Sequence, residues 1–485
     1  MHMNDKKADV SNYLAEKEKH CSVKMQDETP CGRELYDDKH CIFHSKKPDK
    51  DAKLFQEKLT EIFGDNSTEQ YDFSNFIFPA GILFPDKIDK KITFFQAVFQ
   101  GEADFWGKTF QDETRFHRTT FQREAQFTKV TFQASVIFFK AFFEGETNFE
   151  EASFEMVSFD GATFKGRTSF EHTSFESKAD FSDAIFKSYA SFSGTTFKAL
   201  TYLIEVTFQN GVNFHAATFG DELVIYEEES FRIFSEKEVD FRYATFLRPE
   251  KVTFEKVDLS RFRFLGTDLR KVEFVDVDWD TKRGRNRIYD EIVSHTLTET
   301  KYFGLPPLIK KPDYPLIAQV YKRLRMNYEE NLNYAEAGDF HIGEMEMRRK
   351  GEKNPFNKGI IWLYKLLSNY GESYWRPLLC WILPILLLFP FLFMYSGIER
   401  VTQSQSYYRI DYDFNPSSIS LDKAGDFIKD YLKSSVYSLS VFSLVREKQY
   451  RPIDNWGHFW MVLESIFSPV LIAFFLLALR RRFRR

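Results

Sequence analysis

Phenylalanine recurs along this chain with a beat that fits neither a helix nor a flat strand. Phe94, Phe99, Phe105, Phe110, Phe116, Phe121, Phe127, Phe132, Phe138, Phe143, Phe149 and Phe154 follow one another in alternating steps of five and six. One residue then drops out, giving Phe159 and Phe164, and the alternation resumes from Phe170 to Phe219, with Leu203 once replacing the aromatic. The register lapses over 220–240 and returns as a strict five-residue step through Phe254, Leu259, Phe264, Leu269, Phe274 and Trp279. A strand needs a period of two. An eleven-residue period suits a right-handed coiled coil, but the intervening Thr, Ser, Gly, Phe and Val are poor helix formers. A square coil whose every side turns one large side chain inward meets the spacing. The residue two before each aromatic is small or β-branched, as at Ala97, Ala103, Thr114, Thr119, Ala125 and Val130, with Lys108 the exception.

These residues resemble the pentapeptide-repeat family, whose members form right-handed quadrilateral β-helices. The stretch VTFEKVDLSRFRFLGTDLRKVEFVDVDW fits that family's pattern most closely, with Val257-Asp258-Leu259 and Thr267-Asp268-Leu269 at the expected steps. The resemblance covers roughly residues 70–281 and implies a β-solenoid there. The eleven-residue section departs from the pattern by one inserted residue in alternate units, which bears on the cross-section of the coil. Some family members mimic DNA with an acidic face. Here Arg115, Arg118, Arg123 and Lys129 interleave with the acids, so a solvated solenoid face is the default. A net charge of −5 supplies no basic field for nucleic acid.

Ahead of the ladder, Cys21, Cys31, Cys41 and His44 are spaced so that three thiolates and an imidazole can complete a closed tetrahedral zinc site. The competing reading is a set of ordinary cytosolic thiols. Four cysteines in the whole chain are too few for a disulfide framework. Similar heads precede some pentapeptide-repeat proteins. The role implied is structural: residues 1–50 as a metal-binding head and 51–69 as a helical cap over the solenoid's first coil, an end that needs covering.

After the ladder, residues 282–353 read as a helical connector, with Leu316, Val320, Leu324 and Tyr328 at helical spacing. His341 and Glu344 lie one turn apart, where a solvated helix face is the default over a metal pair. Residues 354–485 read as a membrane domain. It comprises an amphipathic interfacial helix, a span over 378–395, a short apolar helix over 431–445 and a second span over 459–479. No apolar leader is visible, and basic residues flank both spans, so both termini are expected in the cytosol. At fifteen residues, 431–445 reaches about 22 Å as a helix, short of the roughly 30 Å hydrocarbon core, so it is expected to be re-entrant.

Span, short helix, charged loop, span: this order is similar to the two-helix pore module of the potassium-channel superfamily, whose members assemble as tetramers. The filter is lost. Where that family places glycines so that carbonyls can face the ion, this chain has Arg446, Glu447 and Lys448 after Ser440 and Ser443. Glu464 is a costly carboxylate in the second span, either functional or hydrated near the headgroups. Pro469 is a hinge or a packing kink. Two functions stay open. One is an oligomeric channel-like module of non-potassium selectivity with a cytosolic solenoid that binds a protein partner. The other is a non-conducting membrane-tethered scaffold. No nucleophile–base pair or phosphate-cradling loop points to an enzyme.

Overall fold

In the computed structural model, which describes residues 20–47, 49–228, 237–294, 312–400, 409–411, 424–443 and 450–483, the ladder winds into a β-solenoid of about nine turns. Each side of a turn is a short strand, as in Val98–Phe99, Ala103–Asp104, Thr109–Phe110 and Thr114–Arg115 around one circuit. Every strand pairs in parallel with its counterpart one turn on. Phe99 lies beside Phe121, and Phe121 beside Phe143, so one turn consumes 22 residues, two of the eleven-residue repeats. The inserted residues therefore leave the coil four-sided.

The two step lengths are two kinds of corner. In five-residue steps, the residue two after the aromatic adopts a left-handed conformation, with φ of 53–58° at Gln96, Arg118, Lys129, Lys140 and Glu151. The next amide closes the turn, Ala97 N–H onto Phe94 O at 3.0 Å and Val130 N–H onto Phe127 O at 3.1 Å. Such a turn favours glycine at its third position, which Gly107, Gly161 and Gly194 supply. Elsewhere a strain of about 1–2 kcal/mol is offset because the strained residue's amide reaches the next turn: Gln96 N–H meets His117 O at 2.9 Å. Six-residue steps round their corners without a left-handed residue, except between Phe208 and Phe214, where Gly211 takes φ 87°. At Gly166 a Cβ would lie 2.2 Å from Gly145 O, so the backbones of adjacent turns touch there.

The dropped residue falls in a six-residue corner. Thr131–Ile137 crosses it as one strand with a bulge between Phe132 and Ser135, whereas its neighbour Ser153–Ser158 makes the same corner one residue shorter. A bulge absorbs a single residue without disturbing the pairing of later strands. Phe159 still stacks beneath Phe138, and Phe164 beneath Phe143.

Inside, the phenylalanines form columns. Phe78, Phe99, Phe121, Phe143, Phe164 and Phe186 stack with ring centroids 4.5–4.9 Å apart. Adjacent columns meet edge to face, as at Phe127 and Phe138. Phe94, Phe105, Phe110, Phe116, Phe132, Phe254, Leu259, Phe264 and Leu269 are likewise buried, as are Ala97, Ala125 and Val130 between them. Buried Thr119 and Thr173 donate hydroxyls to Phe94 O and Phe149 O of the preceding turn, both at 2.7 Å. Lys108 is accommodated because its ammonium reaches out to Asp86 at 2.7 Å.

The solenoid lies in one compact unit, Met1–Asn327; the second is Tyr328–Arg485. Helix α1 (Ala52–Gly64), capped by Asp51, buries Phe55 and Leu59. At the other end come a hairpin, Asp280–Lys282 with Arg285–Arg287, helix α2 (Tyr289–Val293) and helix α3 (Tyr314–Glu330). These put donors and acceptors on the last turn. Asp290 accepts from Phe264 N–H at 2.7 Å, Arg323 donates to Thr267 O at 2.7 Å, and Asn327 donates to Leu269 O and Val272 O.

In the second unit, α4 (Tyr334–Gly351) and α5 (Pro355–Ser368) are tied by Glu346, which accepts from Lys365 at 2.5 Å, Arg349 at 2.9 Å and the Tyr370 hydroxyl at 2.9 Å. Burial would raise the Glu346 carboxyl, but those bonds hold it at about 2. The expected solvated face at His341 and Glu344 is not what forms. Glu344 is buried and paired with Arg348 at 2.6 Å, because α4 is covered on that side.

A π-helical segment, Arg376–Ile382, then leads into α6 (Leu383–Ser396), so 378–395 holds two differently wound pieces. Pro384 lacks the amide that would continue a regular ladder. Helix α7 runs Ala424–Phe442, longer at its start than the expected short helix, and α8 runs Asn455–Phe483. Among the described residues, one helix, over Asn455–Arg480, is long and apolar enough to cross a membrane.

This packing is open to two tests. Phe127→Ala should destabilise the solenoid by about 3–5 kcal/mol in denaturant melts; a loss under about 1 kcal/mol would contradict a close-packed column. Burial pushes Asp290 up to about 6, above its unfolded value, with the Phe264 amide and Arg263 opposing. Its contribution is therefore complete below about pH 4 and fades as pH rises through 6. Asp290→Asn keeps the acceptor for Phe264 N–H and should flatten the pH dependence of the melting temperature between about 4 and 6.

Candidate functional site

Two antiparallel backbone pairings, His20 with Glu34 and Lys24 with Pro30, fold the first residues described into a loop that returns on itself. Cys21 N–H donates to Arg33 O at 2.8 Å and Cys31 N–H to Val23 O at 2.8 Å, which brings two of the thiols to one end. A tight turn supplies the rest: His44 N–H and Ser45 N–H both reach Cys41 O, putting the Cys41 and His44 side chains on one side. The four ligand atoms lie within 4.8 Å of one another.

Their separations decide between chemistries. Cys21 Sγ is 3.4 Å from His44 Nδ1, Cys41 Sγ is 3.3 Å from the same nitrogen, and Cys31 Sγ is 3.8 Å from Cys41 Sγ. A disulfide needs about 2.05 Å. A tetrahedron with metal–sulfur bonds of about 2.3 Å and metal–nitrogen bonds of about 2.0 Å has edges of about 3.5–3.8 Å. The set can therefore hold a metal ion. Cys21, Cys41 and His44 are buried and Cys31 half-buried, and four protein ligands leave no coordination position for a substrate.

The surroundings fit the same use. His44 Nε2 faces the Ser74 carbonyl at 3.1 Å; a carbonyl only accepts, so Nε2 carries the proton and Nδ1 turns its lone pair to the thiols. Arg33 Nη1 lies 3.3 Å from Cys31 Sγ. The buried Lys50 ammonium donates to the carbonyls of Ile42, Ser45 and Ile77. Three thiolates and a divalent ion would carry a net charge of −1, favoured by the neighbouring cations. Between thiols alone, the hydrogen bond from Cys41 and further donors pull Cys31 down to about 3, while the same bond and burial push Cys41 up. Arg33, Lys50 and Ser74 have no signal in the sequence beyond Arg33 lying two residues after a cysteine.

The residues expected to line a pore are placed less uniformly. Glu464 of α8 is fully buried and accepts from Ser438 Oγ of α7 at 2.6 Å. Ser434, one turn earlier on α7, is also buried. Sequence reasoning misses Ser438 and Ser434, although their four-residue spacing is visible in the chain. Ser440 and Ser443 turn their hydroxyls onto carbonyls of their own helix, Tyr437 O and Leu439 O. Pro469 is exposed within α8. Arg446, Glu447 and Lys448 lie outside the described residues. The outer side of α7 is apolar: Ile428, Leu432, Val436 and Leu439 are all exposed.

Comparison with known proteins places one family match on the solenoid. Residues 127–174 and 159–203 match the family model described as pentapeptide repeats (9 copies). An uncharacterized protein of Methanocaldococcus jannaschii is 29% identical over 158 residues, 30% of this chain and 34% of that protein. The chain thus spans about a third of the length of that curated relative. No solved structure matches. Family model and four-sided coil agree: the repeats of this solenoid are pentapeptide repeats.

Proposed function

We propose that this is a membrane-anchored pentapeptide-repeat protein whose C-terminal helices assemble, chain against chain, into a channel-like module of non-potassium selectivity, while its solenoid binds a protein partner in the cytosol. The observation that carries this reading is the polarity of α7. Beside Tyr437 and Val441 its buried side bears Ser434 and Ser438, the latter bonded to Glu464 of the apolar helix α8. Beyond the exposed Asp426 and Lys429 of its first turns, its exposed side carries Leu432, Val436 and Leu439. A helix in water has the reverse arrangement. Lipid or a second chain satisfies that outer side, and the Ser438 hydroxyl donates to one oxygen of the carboxylate.

A second crossing is supported by continuity. Arg376–Ile382 and Leu383–Ser396 run on without a break, and their 7 and 14 residues reach about 30 Å at helical rise. Helix α7, packed against both, then takes the re-entrant position, and a tetramer follows from the likeness to two-helix pore modules. The scaffold reading is favoured by one feature: 444–449 contains no glycine to line a filter. Planar-bilayer recording separates them. The pore reading expects conductance that Glu464→Ala or Arg446→Ala alters. Silence over a wide voltage range from intact oligomers would leave only the tether.

The head's metal we assign to zinc, as a structural cofactor, because a closed tetrahedral site of three thiolates and one imidazole is what zinc takes. Elemental analysis of protein purified under reducing conditions should find about one zinc per chain, lost in Cys31→Ser and His44→Ala. Metal-free protein that stays folded would refute the assignment.

A further inference from the structure

The head does more than sit near the solenoid. Phe43 stacks on Phe76 with ring centroids 4.5 Å apart and planes 11° apart, values within those of the rungs above, such as Phe78 on Phe99 at 4.5 Å and 6°. Ile77 N–H donates to Phe43 O at 2.8 Å, just as Val98 N–H donates to Phe76 O and Thr120 N–H to Ala97 O one turn later. Asn75, the left-handed residue of the first tight turn, donates its side-chain amide to Lys24 O at 2.8 Å. The head thus occupies the place of one more turn, although it contains no repeat.

A repeat holds its shape because neighbours on both sides pair with it. The head has a neighbour on one side, and its polypeptide spacing is irregular. What fixes its loops is the ligand set, and one ligand is shared with the solenoid. The His44 imidazole offers Nδ1 to the cluster and donates Nε2–H to Ser74 O in the first turn. Arg33 spans the same junction, with Nη1 at Cys31 Sγ and its guanidinium carbon 5.2 Å from the Phe43 ring centre and 5.4 Å from that of Phe76.

We infer that the metal ion substitutes for the missing repeat: it holds the head as a terminal rung, and its removal uncovers the edge of the first turn. This rests on the zinc assignment above. His44 is the positioning residue, since it alone both ligates and bonds the coil. Without the ion, the thiols have no common partner. Phe43 then loses its placement, and Ile77 N–H and Ser74 O become an open strand edge of the kind that recruits other strands.

Amide hydrogen exchange on the detergent-solubilised full chain, before and after treatment with a zinc chelator, tests this. Chelation should speed exchange at residues 73–78 by about tenfold or more and leave 127–164 unchanged. His44→Cys supplies the control. It keeps a fourth thiolate for the metal but removes the bond to Ser74, so zinc should be retained while exchange at 73–78 rises. Protein that binds zinc yet shows no change at 73–78 on chelation would overturn the inference and leave the zinc assignment intact. Absence of zinc from folded wild-type protein would instead overturn both.

Discussion

Two lengths coincide in this protein, and the solenoid exists because they do. Parallel strands repeat at about 4.8 Å, and offset-stacked phenyl rings reach contact at centroid separations from about 4.5 Å upward. A phenylalanine in one column therefore stacks on its counterpart one turn away, as the 4.7 Å separations of Phe94 on Phe116 and Phe116 on Phe138 show. Isolated aromatic pairs favour offset or edge-on contact. The coil meets that preference in both directions: each ring stacks with an offset along its own column and lies edge-on to the next column, as Phe116 does to Phe127. The alternation of large and small inward residues is the same constraint seen within a strand, since Ala97 or Ala125 leaves the volume into which neighbouring columns press.

This is why so much of the fold is legible in the sequence. A stacking rule that repeats with one phase shows itself as a period, and a period survives single exceptions. The dropped residue before Phe159 looks like a fault in the pattern. In three dimensions it is the difference between a bulged and an unbulged corner. Lys108 looks anomalous as a residue type, but direction is what matters; its stem lies inward and its charge outside. By contrast, the closing elements obey no period. Nothing in the spacing of Asp290, Arg323 and Asn327 marks them as partners for carbonyls and amides far back along the chain, because those contacts are tertiary and each is used once. The metal cluster is half legible: its ligands are visible as residue types, whereas the tautomer set by Ser74 O and the charges of Arg33 and Lys50 depend on the folded head.

A solenoid solves its middle by repetition and so must solve its two ends separately. At the C-terminal end the solution is conventional: a helix lays polar side chains across the last carbonyls, and Asn327 alone satisfies two of them. At the N-terminal end the chain instead presents a rung of its own kind, Phe43 over Phe76, assembled from loops. Loops too short to bury a core of their own need a cross-link, and clustered thiols with one imidazole are the cross-link available. The two ends thus differ in what stabilises them. One is closed by polar side chains on the last carbonyls, with a buried carboxyl among them; the other carries a cluster of three thiols and an imidazole that can hold an ion.

The second unit inverts the rule that governs the first. In the solenoid, apolar rings are inside, and inward hydroxyls such as those of Thr119 and Thr173 donate to backbone carbonyls of the preceding turn. In the bundle of α6, α7 and α8 the hydroxyls of Ser438 and Ser468 are inside, serving a carboxylate and a helix carbonyl, while Leu432, Val436, Val462 and Ile466 face outward. Both arrangements reflect the cost of burying unpaired polar groups and of leaving apolar surface in water. Where water is the outer medium, that yields a phenylalanine core. In the bundle the polar groups gather on the inside, where buried Glu464 accepts from Ser438.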